Sequence, residues 1–280
     1  MAIIKLNNLS DFEPVHIFEC GQCFRWQKEN DGSYTGVIKY GVINIKKENK
    51  DVIISGNFDE KDRDKILDYF DCKTDYTLIK EKLQENDLNM KKAIEYGYGI
   101  RILNQDPWEM LISFIISAAN NIPRISRIVE NISRVYGQKI SWNGKEYYKF
   151  PTPEELSLAS IDDLRGLNLG FRDKYVYNAT QMVCSGGINL SEIKKMSYKE
   201  AKSNLLQIPG VGAKVADCIL LFSMKKGEAF PVDTWIKKVM AQLYNESKDI
   251  KKISTFAEHK FGEHAGIAQQ YLFYYMRSNF

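Results

Sequence analysis

The feature that most constrains this chain is the run Leu205-Leu206-Gln207-Ile208-Pro209-Gly210-Val211-Gly212-Ala213-Lys214-Val215-Ala216-Asp217-Cys218. Apolar residues precede Ile208 and follow Ala213 at helical spacing, and a turn holding one proline and two glycines separates them. Two helices must therefore fold back on each other, the first ending at Ile208 and the second starting near Ala213. Glycine reaches positive φ and lets another backbone approach closely. The turn points the free N–H groups of Gly210, Val211 and Gly212 outward together with the N-terminus of the second helix, which suits an anion such as a phosphate. A plain αα-hairpin that uses its glycines for tight packing is the alternative.

The rest of the chain supplies the setting. Its 280 residues are about two domains' worth, at ~100–200 residues per domain. An apolar share of 44% excludes intrinsic disorder, because enough apolar surface is present to offset chain entropy. The longest apolar stretch, around Leu111–Ala119, falls far short of the ~20 residues that cross a bilayer, and the first residues lack the apolar core of a signal peptide. A cytoplasmic protein without membrane contact is expected. The formal charge of +3 decides nothing about partners. Five cysteines leave one over, so they read as thiols; Cys20 and Cys23 have metal-type spacing but no second pair to complete a zinc site. No cysteine follows Cys218, which excludes a C-terminal iron–sulfur cluster.

The fold class is α+β. Strands are expected at Cys23–Gln27, Tyr34–Lys39, Val42–Lys46 and Val52–Ser55, with turns at Asn30-Asp31-Gly32 and Tyr40-Gly41. Helical periodicity begins at about Glu60 and runs to the end. Thr152-Pro153-Glu154-Glu155 and Ser197-Tyr198-Lys199-Glu200 carry the cap-and-glutamate pattern of helix starts. This divides the chain into a small antiparallel β-sheet domain with short helices over 1–100 and an all-helical body over 101–280, with the hairpin at 205–224.

Two residues give the hairpin chemistry. Lys214 falls in the first turn of the second helix, where the positive end of the helix dipole disfavours a further positive charge, so its amine is a candidate nucleophile. Asp233 follows 19 residues later in Phe230-Pro231-Val232-Asp233-Thr234-Trp235. The helix from Lys214 to Met224 is ~15 Å long. The connector that follows is ample to return that distance and set Asp233 beside Lys214. As a mere N-cap, Asp233 would have a structural role only.

The hairpin resembles the helix-hairpin-helix DNA-binding motif, and with Lys214 and Asp233 it is similar to the helix-hairpin-helix (HhH-GPD) glycosylase superfamily. Gly21-Gln22-Cys23-Phe24-Arg25-Trp26, read as lying on the first strand, resembles the signature of its 8-oxoguanine DNA glycosylases. So do Asn104–Glu109, Asn120–Ile125 and Ala265–Phe273, in order along the chain. The resemblance implies a DNA glycosylase that is also an abasic-site lyase. Lys214 would attack C1′ of the damaged nucleotide, and Asp233 would stabilise the developing sugar cation and assist proton transfers.

The substrate implied is duplex DNA containing 8-oxoguanine, whose lesion is flipped out of the stack into a pocket. Gln269 and Phe273 are four residues apart on one helix face, the amide suited to a purine edge and the ring to its π-face. Cys218, four residues after Lys214, would close the other side. Pro231 would line the same pocket. Oxidation makes guanine N7 a donor, and the resemblance gives its recognition to the Gly21 carbonyl. DNA contacts would come from Asn120, Arg124, Phe171, Arg172, Gly210, Val211, Gly212 and Val215, with Phe171 in the place of the family's wedging tyrosine. Leu206, Ile208 and Val211 match positions whose carbonyls hold a monovalent cation, Na+ or K+; the chemistry itself requires no cofactor. A monomer is expected. Members strict for cytosine opposite the lesion carry asparagine where this chain has Ala119, and histidine at Trp235, which implies weaker discrimination here. A non-catalytic DNA-binding protein, or a glycosylase for another damaged base, remains the alternative.

Overall fold

Short turns at Gly32 and Gly41 join neighbouring strands into an antiparallel meander, while apolar residues gather on the face that meets the helices. The computed structural model describes residues 2–279. Its strands are β1 (Ala2–Leu6), β2 (Trp26–Lys28), β3 (Tyr34–Ile38), β4 (Gly41–Glu48) and β5 (Asp51–Gly56), in the order β1-β5-β4-β3-β2 and all antiparallel. The three later strands fall where the sequence places them. The edge strand β1 was not expected: its partner β5 lies some 50 residues on, pairing Ile4 with Ile54, so no local turn announces it. Ile4, Ile43, Ile45 and Ile54 meet Phe12, Ile17, Ile66 and Phe70 in the core beneath the sheet.

The expected strand at Cys23–Gln27 is a correction. Gly21 to Arg25 form an irregular turn and loop, and β2 begins only at Trp26. The cause is Gln22, whose fully buried side chain acts as a polar knot. Its amide nitrogen donates to the carbonyls of Ile17 (3.0 Å) and Arg101 (2.8 Å), and its amide oxygen accepts from the Leu103 N–H (2.9 Å). The amide nitrogen of Gln105 in turn donates to the Gln22 carbonyl at 2.8 Å. Peptide groups bound in this way are withdrawn from any sheet ladder.

The body is not all-helical. Lys139–Trp142 and Lys145–Tyr148 form a separate antiparallel hairpin through Asn143-Gly144, both at positive φ. That dipeptide between short strands is a strong hairpin signal, set here between two helical segments. The helix starts hold: Thr152 with Glu155 and Ser197 with Glu200 both form reciprocal capping boxes. Hydrophobic packing does not follow chain order. Helices Tyr76–Gln84 and Leu88–Tyr96 bury Tyr76, Ile79, Leu83 and Met90 in the same core as the later helices, and Cys20 and Phe24 join them.

Arg25 ties the loop to the body. Its buried guanidinium donates to the Tyr148 carbonyl and lies 4.0 Å from Glu109 and 3.9 Å from Glu130. Burial pushes the Glu109 carboxyl up to about 7 against the opposing pull of Arg25. A carboxyl whose pKa is raised by folding contributes stability that is complete below its unfolded value and fades as pH rises through the folded one. Glu109→Gln should therefore gain in melting temperature relative to the parent as pH is raised through about 7. Thermal melts of both proteins across that interval check it; a difference independent of pH would count against a protonated Glu109.

Candidate active site

Pro209 disfavours helical backbone at Ile208, so the first hairpin helix ends earlier than expected, at Leu205 within Tyr198–Leu205. The chain then tightens through i+3 bonds from Gln207 to Asn204 (3.1 Å) and from Ile208 to Leu205 (3.1 Å). Ile208-Pro209-Gly210-Val211 closes as a type II turn, with the Val211 N–H 3.0 Å from the Ile208 carbonyl and Gly210 at φ +88°. The second helix, Ala213–Met224, starts at Gly212, which has no side chain to cap the first-turn amides. Those amides are left for an outside acceptor. Between the two helices, buried Asp217 accepts from the Tyr198 hydroxyl (2.8 Å) and the Lys202 ammonium (2.9 Å).

Lys214 projects from the first turn of the second helix. Its ammonium lies over the Phe114 ring at 5.2 Å and 3.5 Å from the Ser117 hydroxyl, both on helix Pro107–Ser117. Asp233 caps helix Thr234–Leu243, accepting from the Ile236 N–H at 2.8 Å. Burial raises its carboxyl above the ordinary aspartate range, and the Ile236 N–H and the Lys214 charge oppose that rise. Asp233 is thus a helix cap whose carboxyl also feels the Lys214 charge. The two make no ion pair. Burial pushes the Cys218 thiol, one turn past Lys214, up to about 11, so it stays neutral and offers a soft apolar surface.

The last helix, Ala265–Asn279, carries Gln269 and Phe273 toward the N-terminal loop. Gln269 is buried and its amide oxygen has no partner, a costly state unless a ligand satisfies it. Gly21, at φ +86°, packs so closely that a Cβ there would lie 3.3 Å from the Phe273 ring. Pro231 is buried two residues before Asp233. Gly21 and Phe273 are therefore brought together, as are Lys214, Cys218 and Asp233. A separate cleft of about 580 Å³, with Ile38, Trp108 and Pro151 in its walls, shares no residue with this constellation.

The remaining expected contacts are placed as follows. Phe171 is 61% exposed, which leaves its ring free to enter a duplex. Arg172, beside it, is buried, and its guanidinium is engaged by the carbonyls of Ala118, Ala119 (2.8 Å) and Leu169 (3.1 Å). Ala119 itself sits at φ +49°. The Arg124 guanidinium reaches the Asn168 carbonyl at 3.4 Å, and the Asn120 amide folds back onto the Ile116 carbonyl at 3.1 Å. Val211 and Val215 are buried, so only their backbones can face DNA; Leu206 is exposed. Tyr175 was not foreseen. It lies edge-on to Phe171 at 6.5 Å, and a Cβ on Gly210 would fall 2.7 Å from its Cβ. Its spacing of four from Phe171 was the available signal.

Two family models cover most of the chain: "8-oxoguanine DNA glycosylase, N-terminal domain" over residues 4–111 and "HhH-GPD superfamily base excision DNA repair protein" over 112–262. The chain belongs to the 8-oxoguanine DNA glycosylases of the HhH-GPD superfamily. It is 34% identical to a probable N-glycosylase/DNA lyase of Methanothermobacter thermautotrophicus, over 77% of this chain and 75% of that protein. It is 31% identical to the N-glycosylase/DNA lyase of Saccharomyces cerevisiae, over 95% and 84%. The solved 8-oxoguanine glycosylase/lyase of Clostridium acetobutylicum, in complex with double-stranded DNA, matches with a TM-score of 0.94 and 43% identity, covering 100% of this chain and 98% of that one. In this HhH-GPD protein the Gly210–Tyr175 contact joins the hairpin to the exposed Phe171.

Gly210→Ala adds a methyl at positive φ against Tyr175. It should weaken duplex binding about tenfold, or about 1.4 kcal/mol, with the far-ultraviolet spectrum unchanged. Adding Tyr175→Ala, which removes the ring but keeps the Cβ 2.7 Å from the new methyl and leaves the positive φ, should restore little of the loss. Fluorescence-anisotropy titrations of the single and double variants check both statements.

Proposed function

We propose that this HhH-GPD protein excises 8-oxoguanine from duplex DNA with Lys214 as its nucleophile and then cleaves the abasic site. Like its family, the chain is a bifunctional N-glycosylase/DNA lyase. The observation that carries the mechanism is Lys214 held over Phe114 at the hairpin, near enough to the half-buried Asp233, the cap of the next helix, for its charge to act on that carboxyl.

The Val211 N–H, expected to be free, is spent on the Ile208 carbonyl, so the amides of Gly210, Gly212 and the first helical turn bind the phosphate, while Phe171 fills the gap left by the flipped nucleotide. Arg124 and Asn120 line the side of the opposite strand. In the pocket, Gln269 meets the Watson–Crick edge, Phe273 and Cys218 take the two faces of the ring, Pro231 lines the wall, and the Gly21 carbonyl accepts the N7–H that only the oxidised base carries. After its ammonium yields a proton to solvent, the Lys214 amine attacks C1′; the C1′–N9 bond breaks, and the base leaves with that bond's electron pair and takes up a proton from the secondary ammonium so formed. Asp233, as a carboxylate, stabilises the oxocarbenium character that develops at the sugar. Ring opening gives an imine to Lys214. Loss of a C2′ proton then expels the 3′ phosphate, and water releases the enzyme.

A monovalent cation at the carbonyls of Leu206, Ile208 and Val211 is part of the proposal. The Ile208 carbonyl already accepts from Val211, but a carbonyl oxygen has a second lone pair, and three neutral oxygens suit a hard ion. Such an ion would offset phosphate charge and take no part in bond breaking. The protein is proposed to act as a monomer in the cytoplasm; among the described residues no helix is long and apolar enough to cross a membrane.

Borohydride reduction of the imine tests the central claim. The parent should form a covalent complex with an 8-oxoguanine duplex, and Lys214→Gln should form none; trapping that persists in the variant would remove Lys214 from its role. Opposite-base selectivity tests the consequence of Ala119. Single-turnover excision with cytosine, adenine or guanine opposite the lesion should span less than about 100-fold, each lost base contact being worth about 1–3 kcal/mol.

A further inference from the structure

Three of the four carbonyls of the Glu19–Gln22 loop are gripped by side chains of the helical body. Arg277 donates to the Glu19 carbonyl, Gln270 donates to the Cys20 carbonyl at 2.6 Å, and Gln105 donates to the Gln22 carbonyl at 2.8 Å. The carbonyl between them, that of Gly21, accepts from no donor among the described residues. Arg277 does more than hold Glu19. Its guanidinium lies 5.4 Å from the centre of the Phe273 ring, one turn earlier on the same helix. One of its terminal nitrogens is buried without an acceptor and would lie 3.2 Å from a Cβ on Gly21.

We infer that Arg277 is a positioning residue for lesion selection: it fixes the direction of the Gly21 carbonyl and the plane of Phe273 at once. This rests on the reading of Gly21 and Phe273 as the 8-oxoguanine pocket. A single N–H···O contact separates the oxidised base from guanine, and a hydrogen bond weakens steeply as its angle departs from linear. Gln270 and Gln105 tie the carbonyls on either side of Gly21, while Arg277 ties the start of the loop at Glu19 and packs a terminal nitrogen against Gly21 itself, so that the Gly21 carbonyl cannot swing toward a poor angle. The cation beside Phe273 likewise holds the ring against rotation out of the stacking plane. The guanidinium makes both contacts because its planar fork offers donors in several directions. Lys214, Asp233 and the hairpin lie outside this arrangement, so it bears on which base is accepted and not on imine chemistry.

The test separates those two functions in the full-length protein. Arg277→Met keeps length and apolar packing while removing the donors; Arg277→Lys restores one. Single-turnover excision of 8-oxoguanine opposite cytosine is measured beside cleavage of a duplex that already contains an abasic site, which needs Lys214 and no base pocket. Arg277→Met should slow excision about tenfold or more and leave abasic cleavage within about twofold, and Arg277→Lys should recover part of the excision rate. Excision and abasic cleavage falling together would assign Arg277 to stability alone and overturn the inference, as would excision at the parental rate. A parent protein that cleaves abasic DNA but leaves 8-oxoguanine in place would overturn the substrate reading and this inference with it.

Discussion

A buried peptide group must find a partner, and in this protein that requirement falls on one side chain, Gln22. Its amide serves two segments far apart in the chain, accepting from Leu103 and donating to Ile17 and Arg101. Without it, those peptide groups would be buried unpaired where the sheet meets the helices. Each such loss costs about 1–3 kcal/mol, so the knot outweighs any single apolar contact around it. Because Gln22 is pinned, Gly21 has nowhere to go but against Phe273. The small sheet therefore has its influence on the site through one immobilised loop, although none of its strands reaches that site.

Polar economy of the same kind runs through the hairpin. Asp217 joins the two helices through Tyr198 and Lys202, and burial raises its carboxyl against the pull of Lys202. The turn leaves the first amides of the second helix without a side-chain cap. On the proposed function this fits a chain of formal charge +3: phosphate would be held by aligned N–H groups, which lose less to salt than a patch of lysines would, and Lys214 would be kept for bond making.

Much of this was legible in the sequence, and the reason is locality. The hairpin turn, the two capping boxes and the spacing from Gln269 to Phe273 are each written within a few residues, where propensity and periodicity act directly. Lys214 and Asp233 could be paired because a helix has a fixed rise and the connector a known reach. What was missed depends on distant partners. Strand β1 is defined by β5, and the loop at Gly21–Arg25 by a glutamine bound to residues near 101–105. Arg172 shows what the sequence does not reveal: its guanidinium is already engaged by the carbonyls of Ala118 and Ala119. A sequence shows which groups a residue carries, whereas burial decides which of them are already engaged. Tyr175 and Arg277 were passed over for the same reason, since their importance lies in what they hold.

The turn at Ala118–Asn120 has a consequence for how such an enzyme changes over generations. Its path is set from outside, by Arg172 gripping its carbonyls, and Ala119 holds a left-handed backbone without help from its own side chain. Position 119 therefore works like a socket whose shape is kept by the wall around it. A residue with a longer polar side chain could be plugged in there without rebuilding the turn, and asparagine, which tolerates positive φ well, would sit more comfortably than alanine does. On the proposal that residue 119 faces the base across from the lesion, tolerance of that base becomes a trait that one codon can adjust, inherited separately from the machinery that finds and removes the damage.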